Sequence, residues 1–332
     1  MKTRIPVIVA AWLFTALVPR VVKAQIDPHF SQYFIQPMTL NPALTGAVDG
    51  TYRASAIWRS QYGNTLTTMG VAGEVVTDKN INFGVNLLHQ YSAGKAYKFT
   101  NGYITAAYTG VQFGDHHIVM ALQAGVLDRR FNINALQFGD QWTAGVGYNP
   151  AANSGEIFYT SAATAFDAGA GLVYYDGSPN KRVHFFGGYS AFHLTRPQDP
   201  YLSNDGKQRL PIRHSIHAGA RINVNEMFDI VPNALYMRQG NAQEKMLGAY
   251  IQLSASPTTD IMFGANVRLN DAFSPFAGFY HKGLTVGLSY DVSSLDKNVN
   301  STGRNSMEVS LSFTGWRGND VPETKPFYCP RF

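Results

Sequence analysis

Charged side chains are scarce in this sequence. Asp, Glu, Lys and Arg make up 15% of the 332 residues, whereas 13% are aromatic and 31 residues are glycine. A disordered chain shows the opposite balance, because few apolar side chains leave it unable to offset the entropy lost on folding. Long helical and coiled-coil proteins are rich in Ala, Glu and Lys and poor in glycine. The composition therefore excludes both classes.

Cysteine and long apolar runs are also missing. Cys329 is the only cysteine, and one cysteine cannot form an internal disulfide. After the first 24 residues, no stretch approaches the roughly 18 consecutive apolar residues of a membrane-spanning helix. Helical membrane spans are thereby excluded, and stability has to come from burial or from lipid.

The basic net charge belongs mostly to the first 24 residues. The full chain carries 27 basic and 22 acidic side chains, a net charge of +5. Residues 1–24 contain four basic side chains and no acid, so the remainder has 27 − 4 = 23 basic against 22 acidic residues, a net charge of +1. A nearly neutral chain gives no reason to expect a nucleic-acid partner.

The same 24 residues have the pattern of a secretory signal peptide. Lys2 and Arg4 precede an apolar stretch at residues 7–18, and small residues precede a predicted cleavage between Ala24 and Gln25. An uncleaved N-terminal anchor is the alternative. We predict a signal peptide at residues 1–24 and a mature chain outside the cytoplasm.

The mature chain repeatedly alternates apolar and polar residues with a period of two. The clearest examples are residues 52–59, 81–87, 118–126, 213–224, 261–270, 284–292 and 307–313. Such alternation is typical of amphipathic β-strands. Together with less regular segments, the pattern predicts about 14 strands, with an uncertainty of about two.

The polar face of these strands distinguishes a lipid-embedded barrel from a soluble sandwich. It is rich in Gly, Ser, Thr and Asn and poor in charge, as expected for a crowded barrel interior, whereas a solvated sheet face carries more Lys and Glu. Lipid also forbids open sheet edges. We predict an all-β, transmembrane outer-membrane β-barrel of about 14 antiparallel strands at residues 51–314; a soluble sandwich is the alternative.

Three segments fall outside the strand pattern. Residues 25–50 contain too much Pro and Asn for a strand, yet they carry aromatic side chains that would be unfavourable in water. We predict that they form a plug in the lumen or, alternatively, a cap over the first strand. Residues 128–164 are expected to form a long loop and residues 315–332 a C-terminal tail.

Catalytic and metal-binding motifs are not found. The sequence lacks His-Glu-x-x-His, Gly-x-Ser-x-Gly, a phosphate-binding glycine loop with Lys, and a cysteine pair. The glycines near Gly171 lie in an alternating segment, where glycine makes room for a neighbour. We therefore predict no enzymatic activity, no cofactor and no metal; an outer-membrane enzyme with a triad assembled in space is the competing possibility.

Ordered motifs from end to end resemble those of one known family. They are Asp27-Pro-His-Phe-Ser-Gln-Tyr33, Pro37-Met-Thr-Leu-Asn-Pro-Ala-Leu-Thr-Gly46, Trp58-Arg-Ser-Gln-Tyr62, Gly188-Tyr-Ser-Ala-Phe-His-Leu-Thr-Arg-Pro197, Tyr290-Asp-Val-Ser-Ser-Leu295 and Cys329-Pro-Arg-Phe332. The chain resembles the PorP/SprF family, outer-membrane proteins of the type IX secretion and gliding system of Bacteroidetes. Tyr62 stands where the family commonly has Trp, so this motif matches less closely.

The resemblance implies an integral outer-membrane protein without enzymatic activity that helps to export or anchor a cargo protein, such as a gliding adhesin. The implied partners are the C-terminal domain of the cargo, other secretion components in the periplasm and outer membrane, and membrane lipid. A general diffusion porin is the alternative function.

Twelve candidate residues for plugging or partner binding follow from the motifs. Strand-end polar residues such as His193 and Arg196 suit a partner surface, although His193 could instead form hydrogen bonds within the rim. The candidates are Asp27, Phe30, Ser31, Gln32, Tyr33, Asn41, Pro42, Trp58, Gln61, His193, Arg196 and Cys329.

Overall fold

A computed structural model describes residues 27–157, 159–179, 181–199, 208–293 and 305–317. The predicted signal peptide, its cleavage site between Ala24 and Gln25, and Cys329 lie outside these residues. No helix in the described part of the chain is long and apolar enough to cross a membrane.

Fourteen antiparallel strands form one closed barrel, in the order β1-β16-β15-β14-β13-β12-β11-β10-β9-β8-β5-β4-β3-β2. Period-two alternation therefore predicted both the class of fold and the number of strands. The barrel strands are β1 Tyr52–Gln61, β2 Leu66–Val75, β3 Ile81–Ser92, β4 Tyr97–Phe113, β5 His116–Phe131, β8 Ala162–Asp176, β9 Val183–Phe192, β10 Arg213–Asn223, β11 Phe228–Gln239, β12 Ala242–Ser256, β13 Thr259–Arg268, β14 Ala272–His281, β15 Leu284–Ser293 and β16 Ser306–Gly315.

The first and last strands close the barrel. β1 pairs with β16 along its whole length, from Tyr52 opposite Gly315 to Gln61 opposite Ser306. Each strand then has a hydrogen-bonded neighbour on both sides, which removes the open edges that lipid would leave unpaired.

The outer surface of the barrel is apolar. In β3, for example, Ile81, Phe83, Val85 and Leu87 point outward and are each 42–52% exposed. Side chains of this kind are stable at such exposure when lipid rather than water surrounds them. Tyrosines lie on the outward face near the strand ends, as in the aromatic girdles of membrane barrels; among them are Tyr108, Tyr174, Tyr189 and Tyr290.

The lengths of the connections between strands indicate how the barrel is oriented in the membrane. At the end where β1 begins and β16 ends, the connections are short, such as residues 114–115, 257–258 and 282–283. At the opposite end, the strand bounds leave much longer stretches of sequence between β5 and β8, between β9 and β10 and between β15 and β16. Outer-membrane barrels have short periplasmic turns and longer extracellular loops. The first end is therefore the periplasmic end and the second the extracellular end.

The longest loop is shorter than the sequence indicated. Residues 128–164 were expected to be a loop, but β5 continues to Phe131 and β8 begins at Ala162. Both strands are longer than expected because residues 128–130 of β5 pair in register with residues 162–164 of β8. The loop itself contains a small hairpin, β6 (Trp142–Thr143) and β7 (Gly147–Tyr148).

The centre of the barrel holds the segment that precedes β1, residues 27–50, called the N-terminal segment below. It contains no strand and only two short 3-10 helices, Pro37–Thr39 and Pro42–Leu44, as its proline content requires. Its apolar side chains are almost fully buried, among them Phe30, Tyr33, Phe34, Ile35, Met38, Leu40 and Leu44.

Candidate functional site: the N-terminal segment and the lumen that holds it

The N-terminal segment runs along the length of the lumen. The Asp27 backbone N–H donates to Oε1 of Gln239 at 2.8 Å, at the extracellular end of β11. The Gly46 backbone N–H donates to Oε2 of Glu74 at 2.5 Å, near the periplasmic end of β2. The chain therefore descends from the extracellular mouth to the periplasmic mouth before it turns back as β1.

A buried charge cluster holds the extracellular end of this segment. His193 lies between two carboxylates: its Nδ1 is 2.6 Å from Oδ2 of Asp167 and its Nε2 bonds to Asp27. Tyr103 donates its hydroxyl to the same Asp167 oxygen at 2.6 Å, and Gln239 donates to Asp27 at 3.1 Å. A protonated imidazole donates to both carboxylates and neutralises one of them.

Electrostatics favours that charged state of His193. Burial by itself lowers the pKa of His193, but the negative charges of Asp27 and Asp167 outweigh it and raise the pKa to about 9. Burial by itself raises the pKa of Asp27, but the positive charges of His193 and Arg213 outweigh burial and hold that pKa below its usual range. At neutral pH, His193 and Asp27 therefore form a hydrogen-bonded ion pair inside the barrel.

A second buried charge cluster binds the segment at Ser31 and Gln32, further along the chain from Asp27. The carboxylate of Glu308 accepts the backbone N–H groups of Ser31 at 2.7 Å and Gln32 at 2.9 Å. The Ser31 hydroxyl donates to Asp291 at 3.0 Å and accepts from Arg268 at 2.6 Å. Buried carboxylates and guanidinium groups thus replace the strand partners that this irregular backbone lacks.

Arg59 completes this cluster from β1. Its guanidinium donates to Asp291 at 2.9 Å and to the backbone carbonyl of His29 at 2.7 Å. It also lies 3.3 Å from Glu308. The two buried carboxylates of the cluster therefore face two guanidinium groups, and Arg268 also bonds to the more exposed Asp271 at 2.7 Å. Each buried charge thus has a partner of opposite sign.

Aromatic packing occupies the middle of the lumen. The ring of Phe34 lies 5.0 Å from that of Phe276 and 6.0 Å from that of Tyr250, between centroids. Phe30 belongs to a buried apolar cluster with Ile57, Leu88, Phe99, Leu127 and Leu210. Tyr33 donates its hydroxyl to Asn233 at 2.8 Å. The aromatic side chains that would be unfavourable in a free tail are thus covered by the wall of the barrel.

Asn41 and Pro42 fix the second 3-10 helix against the wall. Oδ1 of Asn41 accepts the Ala43 backbone N–H at 2.9 Å and caps the helix, and Pro42 follows at the first helical position. Nδ2 of Asn41 is 3.1 Å from the Leu172 carbonyl and 3.3 Å from the Tyr189 carbonyl. One side chain therefore both caps the N-terminus of the helix and attaches it to β8 and β9.

Glycines in the strands make room for the segment. A Cβ built on each of them would lie within 2.8 Å of a side-chain atom of the segment. The pairs are Gly171 with Asn41, Gly70 with Gln36, Gly287 with Gln32, Gly84 with Met38 and Gly188 with Asn41. The inner wall is therefore fitted to this particular segment, and the expected role of Gly171 is confirmed.

A polar cavity of about 470 Å³ lies at the extracellular mouth. Its floor includes Asp27 and His29, and its walls include Gln61, Glu244 and Asp271. His29 is 2.7 Å from Glu244. The first described residues of the N-terminal segment therefore line this cavity.

Two further candidates, Trp58 and Arg196, lie apart from the segment. Trp58 is on the outward face of β1, between Met69 and Val309 in register. Arg196 is exposed beyond β9, and its backbone N–H donates to the His193 carbonyl at 2.9 Å. His193 itself is only 2% exposed. It contacts the N-terminal segment, so the hydrogen-bonding role within the rim describes it better than an accessible partner surface.

Sequence reasoning missed most of the charged residues that hold the segment. They are Arg59, Glu74, Asp167, Arg213, Arg268, Asp291 and Glu308, all buried inside the barrel. Their signal in the sequence is a charge on the polar face of a strand whose other polar-face residues are small. Within the described residues, no group of three or more His, Cys, Asp or Glu side chains is placed to hold a metal ion.

The closed 14-strand barrel with an apolar outer belt defines the protein as an integral β-barrel of the outer membrane. Comparison with family models then places it more narrowly. The chain belongs to the family of type IX secretion system membrane proteins PorP/SprF, whose model matches residues 22–313. A search of curated proteins found no match.

Several solved barrels are similar in fold. The toluene transporter TodX of Pseudomonas putida is 10% identical, with 86% of this chain and 93% of that chain covered and a TM-score of 0.50. The toluene transporter TbuX of Ralstonia pickettii is 9% identical over 84% and 93%, with a TM-score of 0.48. The NanC porin is 10% identical over 79% and 99%, with a TM-score of 0.40. At these identities the likeness concerns the fold alone.

Proposed function

We propose that this protein is a non-enzymatic accessory component of type IX secretion with a lumen closed by its own N-terminal segment. It binds the C-terminal domain of a secreted cargo protein, such as a gliding adhesin, and helps to export the cargo or anchor it at the cell surface. Membership of the PorP/SprF family supports the secretion role. The other partners are secretion components in the periplasm and outer membrane.

The proposal that the lumen is closed is supported by the N-terminal segment filling the barrel. Aromatic side chains occupy its centre. Charged side chains of β1 and β16 bind the backbone of the segment, and those of β13 and β15 bind the Ser31 hydroxyl. A diffusion porin needs a hydrated path lined by a charged constriction. Here the charged side chains of the two clusters, such as Glu308 and His193, are hydrogen-bonded to the segment, so they serve to retain it rather than to attract a solute.

The cargo-binding part is supported by the loop at residues 132–161. Trp142, Val146 and Ile157 are 55%, 83% and 68% exposed, and Tyr159 is 55% exposed beside them in the sequence. These side chains lie beyond the strand ends, at the extracellular end. Exposed aromatic and aliphatic side chains above a membrane suit recognition of a protein surface.

Planar-bilayer recording tests the closed lumen. The intact protein should give no stable channel, whereas deletion of residues 27–46 should give a persistent one. Because the deletion removes much of the core, the Glu308→Gln variant provides a second test and should produce flickering openings. Stable conductance by the intact protein equal to that of the deletion variant would refute the plug.

Photo-cross-linking in living cells tests cargo binding. A photoreactive residue at Val146 should yield an adduct with a secreted protein through its C-terminal domain. The same residue at Ile104, which is 69% exposed on the lipid-facing side of β4, is the matched control. Gene deletion provides an independent test: if the cargo remains on the cell surface at the normal level, the proposed role is wrong.

A further inference from the structure

Two cations and a histidine form a compact group on the outside of the barrel, near the extracellular ends of three adjacent strands. His214 of β10 is paired in register with Arg238 of β11. Tyr236 of β11 is paired in register with Lys245 of β12. His214, Arg238 and Lys245 are exposed, and the alternation of each strand places them on its outward face.

The spacing of this group follows from the geometry of the sheet. Directly opposed side chains on neighbouring strands are about 5 Å apart, and diagonal neighbours are roughly 7–8 Å apart. His214 and Arg238 are directly opposed, and Lys245 is the diagonal neighbour of Arg238. The three side chains can therefore reach a single small ligand from three strands.

Among the described residues, no carboxylate shares this outward face. The neighbouring outward positions in the extracellular halves of β9 to β12 carry tyrosine, aliphatic, alanine and glutamine side chains; they are Tyr189, Ala191, Ile216, Ala234, Tyr236, Gln243 and Leu247. Glu244, the acid next to Lys245 in sequence, contacts His29 inside the lumen. Within the described part of the chain, Lys245 forms no ion pair, and Arg238 donates only to the Gly240 carbonyl, at 3.2 Å.

The group lies at the edge of the lipid-facing belt. Ile216 and Leu247, one outward step toward the periplasm, are 50% and 56% exposed. Beside them, the Tyr189 hydroxyl bonds to Nδ1 of His214 at 2.7 Å, and the two rings stack at an interplanar angle of 21°. Tyrosine at a strand end marks the interface between acyl chains and headgroups. The two cations are therefore at headgroup depth in the outer leaflet.

We propose that Arg238, Lys245 and His214 form a binding site for the phosphate groups of an anionic glycolipid of the outer leaflet. Arg238 supplies a planar fork suited to two phosphate oxygens, Lys245 supplies a second positive charge, and His214 supplies Nε2 as a further polar contact. Ile216 and Leu247 contact the acyl chains below. The site faces lipid rather than the loops, so it is independent of the proposed cargo binding.

Lipid retention by purified protein tests the site. The probes are diphosphorylated lipid A and its dephosphorylated form in detergent, detected by native mass spectrometry. The R238Q/K245Q double variant should retain at least about tenfold less diphosphorylated lipid A than the intact protein. The K79Q/K282Q variant, which removes two cations from periplasmic turns, is the control and should retain it fully.

Two further measurements complete the test. The R238K/K245R variant keeps both charges and should retain most of the binding, while heat-modifiable migration in gels verifies that each barrel is folded. Equal retention by the intact protein and the folded double variant would overturn the proposal. Equal retention of the dephosphorylated lipid by the intact protein would also overturn it, because acyl contacts alone would then account for binding.

Discussion

Asn41 and Gly171 fit against each other so closely that a Cβ on Gly171 would lie 2.0 Å from Oδ1 of Asn41. Gly171→Ala should therefore displace the second 3-10 helix of the N-terminal segment. The cost of such overpacking is about 1–3 kcal/mol. We expect a lower thermal unfolding temperature and faster proteolysis of the segment than in the intact protein.

A second glycine provides the control for this experiment. The nearest atom to a Cβ on Gly73 is 3.9 Å away, an ordinary contact with Val85. Gly73→Ala makes the same chemical change in a strand without touching the segment, so its stability should be nearly unchanged. Equal destabilisation by the two substitutions would show that the segment is not what requires glycine at position 171.

Alkaline pH should loosen the extracellular end of the segment. The pKa of His193 is raised from its usual 6.5 to about 9, so its stabilising contribution is complete below about pH 6.5 and is lost as the pH rises through about 9. The difference corresponds to roughly 3 kcal/mol. The pKa of Asp27 is lowered, so its contribution is present at neutral pH and is lost only in strong acid.

Limited proteolysis at pH 7 and pH 10 measures this effect. Cleavage within residues 27–46 should be faster at pH 10 in the intact protein. In His193→Gln, cleavage should already be fast at pH 7 and should change little with pH. A pH response that persists unchanged in His193→Gln would assign the effect to other titrating groups.

Glu308→Gln should weaken the hold on the segment strongly. The substitution removes the charge that accepts two backbone N–H groups and leaves Arg59 with Asp291 as its one ion-pair partner among the described residues. Loss of one partner from such a buried network costs about 3–5 kcal/mol. Chemical denaturation should show this loss, while Glu226→Gln, in an exposed turn at the periplasmic end, should stay within about 0.5 kcal/mol of the intact protein.

The path of the segment predicts that its Asp27 end faces the outside of the cell. Asp27 lies at the extracellular end of the lumen, bonded to Gln239 and His193. An epitope inserted after Gln25 should bind antibody on intact cells. The same epitope in the turn at residues 257–258 should bind only after the outer membrane is permeabilised, and the reverse pattern would contradict the orientation.

Local sequence patterns identified the barrel but not the partners of the segment. Alternation in β3 or β15 specifies which side chains face lipid because the strand period is two, and this information is contained in each strand alone. The contact between Ser31 and Glu308 joins residues 277 positions apart. Nothing near either residue indicates the other, so only closure of the barrel brings them together.

His193 illustrates the same limit at the site. Its position at a strand end predicted a polar role, and two interpretations were left open, a partner surface and hydrogen bonding within the rim. The structure places Asp27 from the N-terminus and Asp167 from β8 on its two ring nitrogens. That arrangement, rather than the identity of the residue, buries it and sets its charge.

The sequence by itself determined a low-charge, alternating, all-β chain with a segment at residues 25–50 that cannot be a strand. Those features depend on local periodicity and on the backbone restrictions of proline. The tertiary structure alone decided that residues 27–50 run through the lumen and that buried charges and glycines from distant strands receive them. The physical reason is that the fit between wall and segment depends on three-dimensional register, which closure of β1 on β16 fixes.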